Sequence, residues 1–185
     1  NVMCPGPGCP CAGGECDCQG GSCTLDCADV ETPQLTCEFE CKNGADCGVT
    51  CGTDCNIDCS PGTACAVSAA ANASVHCADA TCEIDAENAV DVECTRGAQC
   101  AVTVTTQADL DCDGNAVCEF TTGASAEIDC DGGSTCTVVI PNYDVTVNAG
   151  FAQAPVGISR RLPNGERLLL SRGMPLIQQG DEMGR

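Results

Sequence analysis

Pairs of cysteines recur along this chain in one setting: VECTRGAQC from Val92, LDCDGNAVC from Leu110 and IDCDGGSTC from Ile128. Each pair is preceded by an apolar residue and an acid, and encloses a short loop. Thiols at fixed spacing have two common chemistries. As thiolates they hold zinc or copper; oxidised, they close disulfides. Aligning FECKNGADC from Phe39, IDCSPGTAC from Ile57 and VHCADATC from Val75 with the first three gives first-cysteine spacings of 18, 18, 17, 18 and 18. The pairs are Cys41–Cys47, Cys59–Cys65, Cys77–Cys82, Cys94–Cys100, Cys112–Cys118 and Cys130–Cys136. A disulfide at each requires a turn that brings two Cα atoms within ~7 Å.

The residues around the pairs say which element supplies that turn. Val90, Val92 and Cys94 precede one loop and Cys100, Val102 and Val104 follow it. Ala108, Leu110, Cys112, Cys118, Phe120 and Thr122 form the next set, then Ala126, Ile128, Cys130, Cys136, Val138 and Ile140. Alternation at period two is the mark of strands, and a fixed repeat is the mark of a solenoid. The fold class expected is all-β: a narrow parallel β-solenoid (β-helix) of about seven or eight coils, stacked at ~4.8 Å, with a ladder of intra-rung disulfides. Each coil thus offers six inward positions, and the two at its far end face each other. They hold Cys51 and Cys55, then Ala69 and Ala73, Ala86 and Val90, Val104 and Ala108. Cys27 and Cys37 occupy them in the preceding coil. These four cysteines allow Cys27–Cys37 with Cys51–Cys55, or Cys27–Cys51 with Cys37–Cys55.

Composition agrees with oxidised sulfur. The chain has 22 Cys among 185 residues, one Tyr, three Phe and no Trp. So few large side chains cannot fill an ordinary core, and cross-links must replace part of the burial. Cysteine at this density belongs to exported proteins, so a secreted or cell-surface location is expected. Asn1 reads as the start of a processed chain. No apolar run is long enough to span a bilayer. Residues 1–23 form a Cys/Gly/Pro-rich cap in which local pairing gives Cys4–Cys9, Cys11–Cys16 and Cys18–Cys23. Residues 24–151 form the solenoid, with DVTVNAGF (144–151) as its last rung, and 152–185 a basic C-terminal hairpin and extended tail.

Charge divides the chain as well. Residues 1–155 carry 24 acids against Lys42 and Arg96, near −22, whereas 156–185 carry five arginines against three acids, +2. An acidic body excludes nucleic acid as a partner. In the tail, PNG between SRRL and ERLLLS reads as a β-hairpin. Arg160, Arg161, Arg167, Leu168, Leu169, Leu170, Arg172, Leu176 and Ile177 are candidate subunit-interface residues, either capping their own solenoid or docking on the next copy. On the body, Glu40, Asp58, His76, Glu93, Asp111 and Asp129 should stack outward, one per coil. Stacked like charges repel, so calcium, raised pKa values or a neighbour's arginines must offset them. Asp111, Asp113, Asp129 and Asp131, in DCDGN and DCDGG, are candidate calcium ligands without a complete ligand set; a solvated acidic face is the plainer reading. No other cofactor is expected. His76 has no nucleophile beside it and Gly-rich phosphate loops are missing, so no enzyme activity is expected. Asn72-Ala73-Ser74 is a glycosylation sequon, meaningful only in a eukaryotic secretory host.

The C-x-C pairs Cys9/Cys11 and Cys16/Cys18 look like metallothionein, which implies thiolate-bound metal; inward cysteines at a structural period point the other way. The Cys spacing resembles that of the beetle antifreeze solenoids. That resemblance implies a flat ice-binding face, here Gly48, Ala66, Glu83, Ala101, Glu119 and Thr137 beside Thr50, Ser68, Asp85, Thr103, Thr121 and Val139. The repeats also resemble cysteine-rich solenoid proteins of bacterial surfaces. The function expected is that of an exported structural protein, the subunit of an extracellular filament built by end-to-end stacking with the tail docked on a neighbour. The alternative is a monomeric surface binding module, a calcium-dependent adhesin or an ice-binding protein.

Overall fold

Each cysteine loop is a turn of very few residues. In Lys42–Ala45 the Ala45 N–H donates to the Lys42 carbonyl at 3.2 Å. Both central residues, Asn43 and Gly44, have positive φ, 57° and 71°. Two successive left-handed residues define a type I′ turn, which Asn and Gly make with least strain. The same pattern recurs at Arg96 and Gly97, Gly114 and Asn115, and Gly132 and Gly133. The flanking strands leave each turn for opposite sheets, and the disulfide ties them behind it.

The computed structural model describes residues 2–3, 15–27, 36–52, 54–123, 126–140, 147–150, 156–161 and 167–171. The strands are β1 (Val2–Met3), β2 (Glu15–Gln19), β3 (Ser22–Asp26), β4 (Cys37–Lys42), β5 (Asp46–Cys51), β6 (Cys55–Cys59), β7 (Ala64–Ala69), β8 (Ala73–Ala78) and β9 (Thr81–Ala86). They continue with β10 (Val90–Thr95), β11 (Gln99–Val104), β12 (Ala108–Cys112), β13 (Val117–Thr122), β14 (Ala126–Cys130), β15 (Thr135–Ile140), β16 (Val147–Gly150), β17 (Val156–Arg161) and β18 (Arg167–Ser171). They form two nine-stranded sheets, ordered β1-β2-β4-β6-β8-β10-β12-β14-β16 and β18-β17-β15-β13-β11-β9-β7-β5-β3. Every pairing is parallel except that of β17 with β18. The chain is an all-β, disulfide-rich parallel β-solenoid, as the period predicts.

Register stacks like on like. Phe39, Ile57, Val75, Val92, Leu110 and Ile128 form one inward column of the first sheet. Leu25, Val49, Val67, Ile84, Val102, Phe120 and Val138 form the facing column of the second. All are buried. A seventh inward position, missing from the six-per-coil reading, closes each turn: Ala45, Thr63, Ala80, Ala98, Ala116 and Ser134 are buried there. Two of these carry hydroxyls, and backbone carbonyls satisfy them. Thr63 Oγ1 donates to Ser60 O at 2.7 Å, and Ser134 Oγ lies 2.6 Å from Cys112 O and 2.5 Å from Asp131 O.

Both ends differ from expectation. Glu15–Gln19, inside the stretch read as a cap, pairs parallel with β4 and sets Cys18 beside Cys41 and Cys16 beside Phe39. On the other sheet Cys23 stacks on Cys47. Cys18–Cys23 is therefore a rung of the same ladder. At the other end, β16 continues the first sheet over Val147–Gly150 of the predicted last rung. The hairpin is present, with Arg161 opposite Arg167, but β17 lies parallel to β15 of its own chain. Arg160, Arg161, Arg167, Leu168, Leu169 and Leu170 thus sit in strands that extend their own sheet, the first of the two placements the sequence leaves open for the hairpin. The backbone reason is simple: β15 offers an open parallel edge within reach of the chain that has just left it. Arg172, Leu176 and Ile177 lie outside the described residues.

Candidate functional site

Sulfur runs along both ends of the coil. Disulfides join Cys18–Cys23, Cys41–Cys47, Cys59–Cys65, Cys77–Cys82, Cys94–Cys100, Cys112–Cys118 and Cys130–Cys136 at the turn end. Their Cα–Cα distances run from 6.3 Å (Cys18–Cys23) to 6.6 Å (Cys94–Cys100), within the range a disulfide spans without backbone distortion. At the far end the structure chooses between the two open pairings: Cys27–Cys37 and Cys51–Cys55 close within their coils. Cys16 is also disulfide-bonded. Cys4, Cys9 and Cys11 of the expected cap pairs lie outside the described residues. Among the described residues no cysteine is free, so none offers a thiolate to zinc or copper. Disulfides at this density place the fold in an oxidising environment.

The outward face of the first sheet is acidic in two columns. Glu40, Asp58, His76, Glu93, Asp111 and Asp129 stack in register as expected. Beside them run Glu38, Asn56, Ser74, Asp91, Asp109 and Glu127. This second column follows from the same alternation, two residues earlier, and an alignment centred on the acid next to Cys passes over it. Lys42 and His76 interrupt the N-terminal half. Lys42 Nζ bonds Glu40 and lies 3.9 Å from Asp17, and His76 Nδ1 lies 3.5 Å from Asp58. That places His76 in the acidic column, beside Asp58. The bond to Glu40 raises the Lys42 pKa.

The C-terminal half carries Asp91, Glu93, Asp109, Asp111, Glu127 and Asp129 on three successive coils. Burial, then Asp109 and Glu93, raise the Asp91 carboxyl above its ordinary range. Burial, then Asp129, Glu93, Asp113 and Asp109, do the same for Asp111. Raised pKa values, one of the three responses expected of stacked acids, operate here. The four candidate calcium ligands fall in two settings. Asp111 and Asp129 belong to the sheet face, whereas Asp113 Oδ1 accepts from Gly114 N at 2.6 Å and Asp131 Oδ1 from Gly132 N at 2.8 Å. Among the described residues the groups of three ligand atoms within 4.8 Å are made of cysteine sulfurs, with no carboxylate trio. Calcium needs six to eight oxygens about one centre, and these residues bring no such set together.

The second sheet turns out its flat face in register. Gly48, Ala66, Glu83, Ala101, Glu119 and Thr137 lie beside Thr50, Ser68, Asp85, Thr103, Thr121 and Val139. Among the described residues Val117 is the one exposed large apolar side chain. No described helix is long and apolar enough to cross a membrane. No protein-family model, curated protein or solved structure matches this chain.

Proposed function

We propose that this chain is an exported structural protein, secreted or held at a cell surface, whose solenoids stack end to end into a filament. The observation that supports it most is the register: two parallel sheets run the length of the described body, the coils from Cys18 to Cys136 each carry a disulfide, and each sheet ends in a strand with no further described partner. Such edges pair with strands of another molecule. With Val117 the one exposed large apolar side chain among the described residues, backbone pairing is the driving force this reading invokes, and head-to-tail contacts of this kind extend unless the rotation closes a ring. In this reading the C-terminal segment docks on the neighbouring subunit, and the outer edge of β18 is open to such pairing among the described residues.

Electron microscopy and light scattering of the oxidised full chain test this, beside a truncation after Pro155 that removes β17 and β18. Filaments from the full chain and their loss on truncation are expected. Single particles from the full chain at all concentrations would sink the proposal. They would favour a monomeric surface binding module, calcium-dependent or ice-binding. The antiparallel β18, which interrupts a parallel series as a cap does, is the observation on that side.

A further inference from the structure

Four cysteines at the end of the coil opposite the turns stand apart from the ladder. The Sγ atoms of Cys27, Cys37 and Cys55, drawn from two disulfides, all lie within 4.8 Å of one another, as do trios of the ladder such as Cys59, Cys65 and Cys82. The backbone places both alternative partners side by side. Cys37 pairs in register with Cys55 on adjacent parallel strands. Cys27 N–H donates to Thr50 O at 2.8 Å, which sets Cys27 beside Cys51. Neighbouring parallel strands are about 4.8 Å apart, inside the Cα–Cα range of a disulfide. The present bonds span 6.6 Å and 6.1 Å between Cα atoms. Both connectivities thus fit one backbone.

The second observation is access. A surface groove crosses four coils at this corner, and Cys55 lines it with Asp54, Asn72, Ser74, Asp91 and Asp109. Cys55 is as deeply buried as Cys100 of the ladder, but Cys55 lines this groove and no ladder cysteine does. Three carboxylates on the rim draw in a cation and repel an anion.

We propose that Cys27, Cys37, Cys51 and Cys55 form a thiol–disulfide exchange site for a small cationic thiol, which rearranges two coil-closing bonds into two coil-to-coil bonds. The entering thiolate attacks Cys55 Sγ in the groove, forms a mixed disulfide and releases the Cys51 thiolate. Cys51 attacks Cys27 Sγ and releases the Cys37 thiolate. Cys37 then attacks Cys55 Sγ, closes Cys37–Cys55 and expels the entering thiol unchanged. Two disulfides are present before and after, with no net oxidation, and the thiol acts as a catalyst. The product ties β3 to β5 and β4 to β6 covalently, where the starting state joins those coils by hydrogen bonds alone.

Exchange with cysteamine, and separately with mercaptoacetate at equal thiolate concentration, followed by acid quenching, alkylation and mass-spectrometric mapping, tests this on the full chain. Peptides linked Cys37–Cys55 and Cys27–Cys51 are expected to appear before any change in the ladder, at least several-fold faster with cysteamine, and with that preference lost in high salt. Unchanged pairing, or ladder bonds scrambling first, would overturn the site; equal rates for the two thiols would overturn its cation selectivity. A second variant avoids kinetics: Cys27→Ser with Cys51→Ser leaves Cys37 and Cys55 to pair across coils. Loss of alkylatable thiol supports the geometry, and two free thiols refute it.

Discussion

At the scale of single residues the turns are the most constrained part of the chain. Gly62 and Gly132 both have positive φ, 78° and 58°. A side chain at either position costs about 1 kcal/mol in backbone strain alone. Their surroundings differ. A Cβ on Gly62 meets nothing within 4 Å, whereas on Gly132 it would collide with the Asp113 carboxylate and stand 2.6 Å from Gly114 N. The Asp113 side chain is fixed by its own bond to Gly114 N, so relief requires that the bond break or the coils part. Gly132→Ala should therefore destabilise by at least 1 kcal/mol more than Gly62→Ala, a charge-assisted hydrogen bond being worth ~1.5–3 kcal/mol. Denaturant midpoints of the two variants check this, and equal shifts would contradict it.

At the scale of the coil, neighbours are the only partners, so losses should stay local. Removing Cys112–Cys118 by Cys112→Ala with Cys118→Ala should leave the β-sheet circular dichroism intact. Amide hydrogen-exchange protection should fall by about 2–3 kcal/mol, the usual effect of a short disulfide loop. The fall should centre on Leu110 and Phe120, reach Val92, Val102, Ile128 and Val138 in the flanking coils, and leave Ile57 and Val67 unchanged. A uniform loss along the solenoid would instead mean one cooperative unit. The coil itself was legible because cysteine marks its corner: once Cys94, Cys112 and Cys130 are aligned, period two assigns Val92, Leu110 and Ile128 to the core. The Cys18–Cys23 rung escaped that alignment because Cys18 and Cys41 are 23 residues apart, the ADVETPQLT insertion breaking the 18-residue period. Ala98 and Ala116 escaped it because a turn residue's burial depends on the next coil covering it, not on alternation. For β17, sequence shows a hairpin but not which edge receives it.

At the scale of the molecule, charge sets the response to pH. A formal charge of −20 is concentrated where parallel register leaves acids no freedom to move apart. Most proteins lose stability in acid, because native carboxylates are held below their unfolded pKa. Asp91 and Asp111 work in the opposite sense. Their folded pKa values are raised, so the native state binds protons more readily than the unfolded chain. The penalty they impose is fully present above the raised values. It is relieved as pH falls through them toward the ordinary carboxylate range, and stability rises over that window. Lys42, raised by Glu40, has a partner that lasts until strongly alkaline pH and does not mask the effect. Thermal or denaturant midpoints followed downward from pH 7 should therefore rise before any acid unfolding sets in. Asp111→Asn removes one charge from the centre of the cluster and keeps its size. It should stabilise by about 0.5 kcal/mol at pH 7, the usual scale of a cross-strand charge pair, by less in high salt, and not at all below the ordinary aspartate range. A midpoint that falls steadily from pH 7, or a variant whose gain persists in acid, would mean that something other than burial of the stacked carboxylates and repulsion between them governs this face.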